Sequence, residues 1–328
     1  MSNPLVRITL KALAGLALVL PVMVVVAYGT PGVQSLLWRA QAVLAPTVSR
    51  LKHPSTNYGV YDPLTGPDGE QAFGDAQGVA IEHVFLSWLD PERTSHGASL
   101  DAMHQYARDR GRWLMVTIEP SSDGRQVAEG GFLQQVLAGA YDENIDTTCR
   151  MLGRLESPLL VRWGHEMESR QARYPWSGQP ADDYIAAYRG FVDACRRQIA
   201  EGYYIWSPMG NSGLADYWPG TRYADYVAVT IFGDARLDMQ VERRRRSFVK
   251  LFQPLYQWIS IFDRPIMIAE LGVQGSPAYQ QLWMRDLFQN LDQFPLLKTI
   301  VYFNATDVVK WPDETVIRDW RIPGDIFE

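Results

Sequence analysis

The chain has 328 residues, of which 47% are hydrophobic and 21% charged, so it can bury a large core. Its formal net charge of -6 excludes the basic profile of a protein that binds nucleic acid or another polyanion. With 11 Trp and 16 Tyr it is rich in aromatic rings, which pack cores and also stack on sugars.

In chain order, the first element is a targeting segment. Arg7 and Lys11 precede an uncharged stretch from Ala12 to Trp38, most densely apolar from Leu13 to Ala27. A basic flank and then an apolar run direct the downstream chain across the membrane. Ala27-Tyr28-Gly29 offers a small-x-small cleavage site, and the stretch is also long enough to span a bilayer. Residues 1–32 therefore read as a signal peptide or a signal-anchor helix, residues 33–54 as a helical spacer, and residues 55–328 as one domain. Either form of leader makes the domain extracytoplasmic, periplasmic or secreted. The anchor form adds attachment to the inner membrane.

From there, strand-like and helix-like patterns alternate to the end. The predicted strands are Tyr58–Tyr61, Ile81–Trp88, Trp113–Glu119, Leu159–Glu166, Tyr203–Ser207, Tyr226–Phe232, Ile266–Glu270 and Thr299–Asn304. Most are short apolar runs, as expected of parallel strands covered on both faces. Between them lie helix signals. Ser99 caps a run with Leu100, Met103 and Ala107 on one face; Tyr184, Tyr188, Phe191 and Cys195 recur at helical spacing; Ser276 and Pro277 open a further helix. Eight alternations in one domain-sized span predict a closed (β/α)8 TIM barrel. The runner-up, an open doubly wound sheet, usually carries a glycine-rich phosphate loop after its first strand, and none is present. Arg243 to Arg246 reads as the solvated face of a helix.

Cys149 and Cys195 both fall in predicted helices; a disulfide and two buried thiols fit equally. No metal ion or cofactor is expected. His165-Glu166 begins like a zinc-binding helix, but Ser169 stands where the second histidine belongs. His83 reads as a core histidine.

Two strands end in glutamate. Val161-Arg162-Trp163-Gly164-His165-Glu166 and Ile266-Met267-Ile268-Ala269-Glu270 share one plan, an apolar strand with a carboxylate at its C-terminal lip. Side chains alternate along a strand, so Arg162, Gly164 and Glu166 are expected on one face, and Ile266, Ile268 and Glu270 on another. If both faces point inward, the glutamates stand at the barrel rim with Arg162 beneath them. An arginine there keeps one carboxylate ionised, while the other, desolvated beside a like charge, holds its proton. That is the equipment for cleaving a glycosidic bond. Glu119 is a third rim carboxylate and a candidate substrate ligand. Trp88, Trp176, Trp206, Trp218 and Trp311 lie at or beyond strand ends and are candidate sugar platforms.

The stretch Arg162-Trp163-Gly164-His165-Glu166-Met167, followed by Tyr174-Pro175-Trp176, resembles the fourth-strand signature of glycoside hydrolase family 26. Thr117-Ile118-Glu119-Pro120, Tyr203–Pro208, Tyr217–Gly220 and Ile300–Asn304 resemble further strand ends of that family. The likeness covers roughly residues 58 to 320. It implies a retaining, endo-acting β-glycan hydrolase acting on β-mannan or mixed-linkage β-glucan, with Glu166 as acid/base, Glu270 as nucleophile and His165 orienting the acid and contacting the sugar. The partner implied is a β-linked polysaccharide or oligosaccharide, and the chain is expected to act as a monomer.

Two positions depart from the family pattern. Glu168-Ser169 stands where many members have Asn-Gly, and the sixth strand ends in Phe232 where a tyrosine often bonds the nucleophile. Tyr302 is a candidate to supply that phenol. These departures motivate two alternatives: a weak or inactive barrel that binds a polysaccharide during its synthesis or export, and a transglycosylase.

Overall fold

The computed structural model describes residues 56–64, 73–74, 76, 78–121, 131–171, 173–308 and 317–322. All fall within one unit, His53–Glu328. Residues 1–54, read above as a leader and spacer, and Trp311 lie outside the described residues. Among the described residues, no helix is long and apolar enough to cross a membrane.

The short apolar runs form strands β1 (Asn57–Tyr61), β2 (Val79–Ser87), β4 (Trp113–Glu119), β5 (Leu159–Trp163), β6 (Gly202–Trp206), β7 (Tyr226–Asp234), β8 (Ile266–Gln274) and β9 (Leu297–Phe303). Each pairs in parallel with the next, and β9 pairs back onto β1, so eight strands close into the expected barrel. One strand was not expected. β3 (Asp90–Thr94) runs antiparallel to the end of β2, outside the barrel wall. Its Asp-Pro-Glu-Arg-Thr sequence is poor in β-formers and is held by that pairing and by buried Thr94, whose hydroxyl donates to the Ala98 carbonyl at 2.9 Å.

Alternation sorts the wall into two faces. Val116, Val161, Val229, Ile268 and Ile300 belong to the apolar layer under the helices. Met115, Leu160, Ala228 and Met267 are equally buried but fall outside that layer; they have the opposite parity and fill the barrel. The helices are α1 (Leu100–Asp109), α2 (Phe132–Leu137), α3 (Asp142–Gly153), α4 (Ala181–Arg196), α5 (Ala235–Val241), α6 (Phe248–Ile259) and α7 (Pro277–Gln289). Ser99 and Ser276 cap α1 and α7 as the sequence predicts, accepting from the backbone N–H groups of Ala102 and Tyr279. The arginine run lies elsewhere than predicted. Arg243 to Arg246 form the loop between α5 and α6, fixed where Asp238 accepts from the Arg246 backbone N–H and its Nε, each at 2.7 Å.

The two cysteines resolve into a disulfide. Cys149 of α3 and Cys195 of α4 are fully buried and bonded, with Cα atoms 4.7 Å apart. These helices flank β5 in the chain, so the closed loop contains all of β5 and the segment after it. Replacing both cysteines with alanine should lower unfolding free energy by about 2–4 kcal/mol. Urea denaturation of the variant and of wild type, each with and without reductant, measures this; reductant should shift only the wild type.

Candidate active site

Both glutamates reach the barrel mouth, but neither by simple alternation. β5 ends at Trp163, and the backbone then bends twice into the left-handed region, at Gly164 (φ 54°) and Glu166 (φ 56°). Glycine tolerates this; a glutamate there is strained by about 1–3 kcal/mol. Two bonds hold the bend: Gly164 N–H donates to the Ile118 carbonyl at 3.2 Å, and Glu166 N–H to that of Ser207 at 2.8 Å. Glu166 is thus aimed by a turn, not by strand parity.

Glu270 is re-aimed by a bulge. Val229 pairs with Ile268 and Thr230 with Glu270, so Ala269 is an extra residue in β8; the β9 side shows the same slip. Ile266 and Ile268 face the helices, contrary to the expectation that they share a face with Glu270. One inserted residue flips the phase and turns Glu270 into the barrel.

Inside, Arg162 lies beneath the pair as expected. Its side chain is 0% exposed, and Nη1 donates to Glu270 Oε1 at 2.6 Å, the ion pair a guanidinium makes with an ionised carboxylate. Glu166 is in the opposite condition. Burial, and then the neighbouring charge of Glu270, lift its proton affinity from the ordinary 4.5 to about 7 against the pull of Arg162 and Thr230. Glu119 faces the same mouth; burial raises it too, with Arg173 opposing. His165 is driven well below its ordinary range by burial and by the nearby cations Arg162 and Arg173, so it is a neutral imidazole. Its Nε2 is hydrogen-bonded to Tyr174 Oη at 2.9 Å, and its carbonyl accepts from Trp176 Nε1 at 2.7 Å.

Three neighbours of the pair were not singled out in the sequence. Thr230 Oγ1 donates to Glu166 Oε1 at 2.9 Å. Gln171 Nε2 donates to Glu166 Oε2. Arg173 stacks over the Tyr174 ring at 4.4 Å and donates to its oxygen at 2.6 Å, within electrostatic reach of Glu119, Glu166 and Glu270. Thr230 sits on a predicted strand two residues before Phe232 and was accessible to alternation; Gln171 and Arg173 lie in an irregular loop with no periodic signal.

Most of the tryptophans are not sugar platforms. Trp88 is 0% exposed, stacked on Tyr141 at 5.1 Å, with Nε1 donating to the Ser121 carbonyl. Trp176 is buried against Tyr174 at 4.5 Å, and Trp206 is buried edge-on to Trp218 and Phe262. Trp218 is half-buried, its ring 4.5 Å from that of Phe262. Strand-end tryptophans here seal the gap between barrel and helices. His83 is a core histidine, with Nε2 2.7 Å from Thr117 Oγ1.

No family model matches this chain. It is 26% identical over 218 residues to a β-1,3-xylanase from an Alcaligenes species, covering 56% of this chain and 43% of that protein. It is 23% identical over 266 residues to endoglucanase H of Acetivibrio thermocellus, covering 77% of this chain and 27% of that protein. The chain thus spans less than half the length of these curated relatives. Among solved structures it is similar to a GH26 β-mannanase from Bacteroides ovatus, with a TM-score of 0.61 and 17% identity over 80% of this chain and 84% of that one. The resemblance to glycoside hydrolase family 26 is borne out in the fold.

The two departures from the family pattern now have physical accounts. The Glu168 carboxylate accepts three backbone N–H groups, from Met209 (3.2 Å), Gly210 (2.7 Å) and Asn211 (3.0 Å), and so ties the loop after β5 to the loop after β6. Phe232 packs on Trp320 at 4.4 Å and offers Glu270 no donor. Tyr302 does not replace it: its hydroxyl donates to the Trp320 carbonyl at 2.6 Å and accepts from Val273 N–H. Glu168→Ala should speed hydrogen exchange at the amides of Met209, Gly210 and Asn211 and cost about 1–3 kcal/mol of stability. A second expected outcome concerns Glu166. Its folded-state proton affinity lies above the unfolded value, so the folded state loses stability as pH rises from about 4.5 through about 7. Glu166→Gln should therefore raise the thermal midpoint relative to wild type at pH 8 and leave it unchanged at pH 4, as calorimetry at the two pH values would show.

Proposed function

We propose that this protein is a retaining, endo-acting hydrolase of a β-linked glycan. The observation that carries the reading is the unlike setting of two carboxyls in one cup: Glu270 ion-paired with buried Arg162, Glu166 pushed up to about 7 by burial and by the charge of Glu270. Thr230 supports their closeness, since it pairs in register with Glu270 on the adjacent strand and donates to Glu166. Adjacent strands lie about 4.8 Å apart, and retention asks for carboxyls ~5–5.5 Å apart.

In the first step a Glu270 oxygen attacks the anomeric carbon as the glycosidic bond breaks, and the Glu166 proton passes to the leaving oxygen. This leaves a glycosyl ester on Glu270 and a carboxylate at Glu166. In the second step Glu166 takes a proton from water, whose oxygen attacks the anomeric carbon and frees Glu270. Arg162 holds the nucleophile from below, the role a strand-end phenol would otherwise share. His165, neutral and fixed by Tyr174, orients the turn that carries the acid and contacts the sugar. Glu119 and Arg173 face the same mouth as polar ligands for substrate hydroxyls.

The names of the relatives share a glycan as substrate and differ in the sugar, so the proposal commits to no single sugar. The buried disulfide supports an extracytoplasmic site of action, because such bonds persist in oxidising compartments. The rival reading, a barrel that only binds glycan, drew on Glu168 and Phe232. Glu168 has a structural duty, and Arg162 serves the nucleophile without Phe232.

Reducing-end assays on β-mannan, β-1,3-xylan, mixed-linkage glucan, curdlan and cellulose should find at least one glycan cleaved internally. Glu166→Gln and Glu270→Gln should each lower kcat/KM on it by a factor of about a thousand or more while circular dichroism stays unchanged. NMR of the first product should show a β anomer. An α anomer would reject retention, and wild-type turnover in either variant would reject the assignment.

A further inference from the structure

We propose that Gln171 is a positioning residue for Glu166: its side-chain amide holds Oε2 in the free protein and occupies the place that the leaving-group oxygen takes when substrate binds. The inference rests on the reading of Glu166 as the acid/base.

Both oxygens of the Glu166 carboxyl are held, Oε1 by the Thr230 hydroxyl at 2.9 Å and Oε2 by the Gln171 amide. The two donors are not equivalent. A hydroxyl donates or accepts by rotating, so Thr230 suits either protonation state of its partner. In the observed orientation Gln171 presents its NH2, which only donates, so this contact suits Oε2 while that oxygen carries no proton. Gln171 therefore favours the carboxylate form of Glu166 and assigns the proton of the acid form to the Thr230 side.

The loop is built to keep the amide there. Ser169 Oγ donates to the Glu166 carbonyl at 2.6 Å and lies 3.2 Å from Ser177 Oγ, which in turn accepts from the Gln171 backbone N–H at 3.0 Å. Two serine hydroxyls thus lock the backbone of residue 171 to that of residue 166. Gln171 also lines a cavity of about 500 Å³ together with Arg170 and Tyr174, within the size range of ligand sites. The other groups facing Glu166 are Arg162 from β5, Glu270 from β8, and Arg173 and Tyr174 from the same loop; β7 contributes only the neutral Thr230.

The test is a carbon-13 titration of the glutamate carboxyls without substrate, with the Glu166 signal identified by its loss in Glu166→Gln. Gln171→Met keeps the length of the side chain and removes the donor; Gln171→Ala removes both and serves if the first does not fold. In either variant the Glu166 midpoint should rise by about one pH unit, as loss of a hydrogen bond to a charged group implies. The alkaline limb of kcat/KM on a cleaved glycan should move up equally. A midpoint that stays or falls in a folded variant overturns the proposal, whereas a purely structural role would alter the melting temperature alone. Because the titration needs no turnover, its outcome is separate from whether any glycan is hydrolysed.

Discussion

The buried pair between Arg162 and Glu270 is the interaction on which the site depends. A fully buried guanidinium must meet a carboxylate, and Glu270 is the acceptor it finds, at 2.6 Å. Removing either partner would strand a charge in the barrel, at a cost of about 3–5 kcal/mol. The pair does more than hold Glu270 still. It fixes a negative charge at the barrel mouth, and that charge is one of the two causes that keep a proton on Glu166. The chemical difference between two identical side chains is therefore set by the burial of Glu166 and, from below, by one residue of β5.

The Glu166 carboxyl is secured from the side. Glu166, the serine hydroxyls that brace its backbone and the Tyr174–His165 contact all lie in the segment between Cys149 and Cys195. Glu168 fastens the same segment to the turn after β6 through three backbone amides. A left-handed glutamate can persist only where its surroundings over-determine it, and this loop supplies that constraint at both ends. Rigidity here costs the loop adaptability and gives the Glu166 carboxyl a fixed direction.

The barrel was legible in the sequence because eight buried parallel strands each leave a short apolar run, and β4 begins and ends at the residues read from it. The two glutamates were legible because each closes such a run. What could not be read is how they turn inward. Period-two alternation assumes an unbroken strand, but β5 stops at Trp163 and β8 carries a spare residue at Ala269. The tryptophans misled for a related reason. A position at a strand end says nothing about which side of the wall the ring takes, and Trp88, Trp176 and Trp206 turn into the packing layer. Gln171 left no trace, since a polar residue in an irregular loop has no pattern to belong to. Glu168 looked like a defect because its partners are main-chain groups of a distant loop, which carry no sequence signature.

The spare residue at Ala269 also makes the catalytic face a matter of reading frame. Met267 fills the barrel and Ile268 faces outward, so a chain lacking only Ala269 would bring Glu270 to the lumen by plain alternation, still opposite Thr230. Ironing the strand flat with all its residues kept does the reverse: it would deliver Glu270 to the oily underside of the surrounding helices. Two sequences matched by hydrophobic rhythm alone would fall out of step here, and the gap that restores them belongs immediately ahead of Glu270.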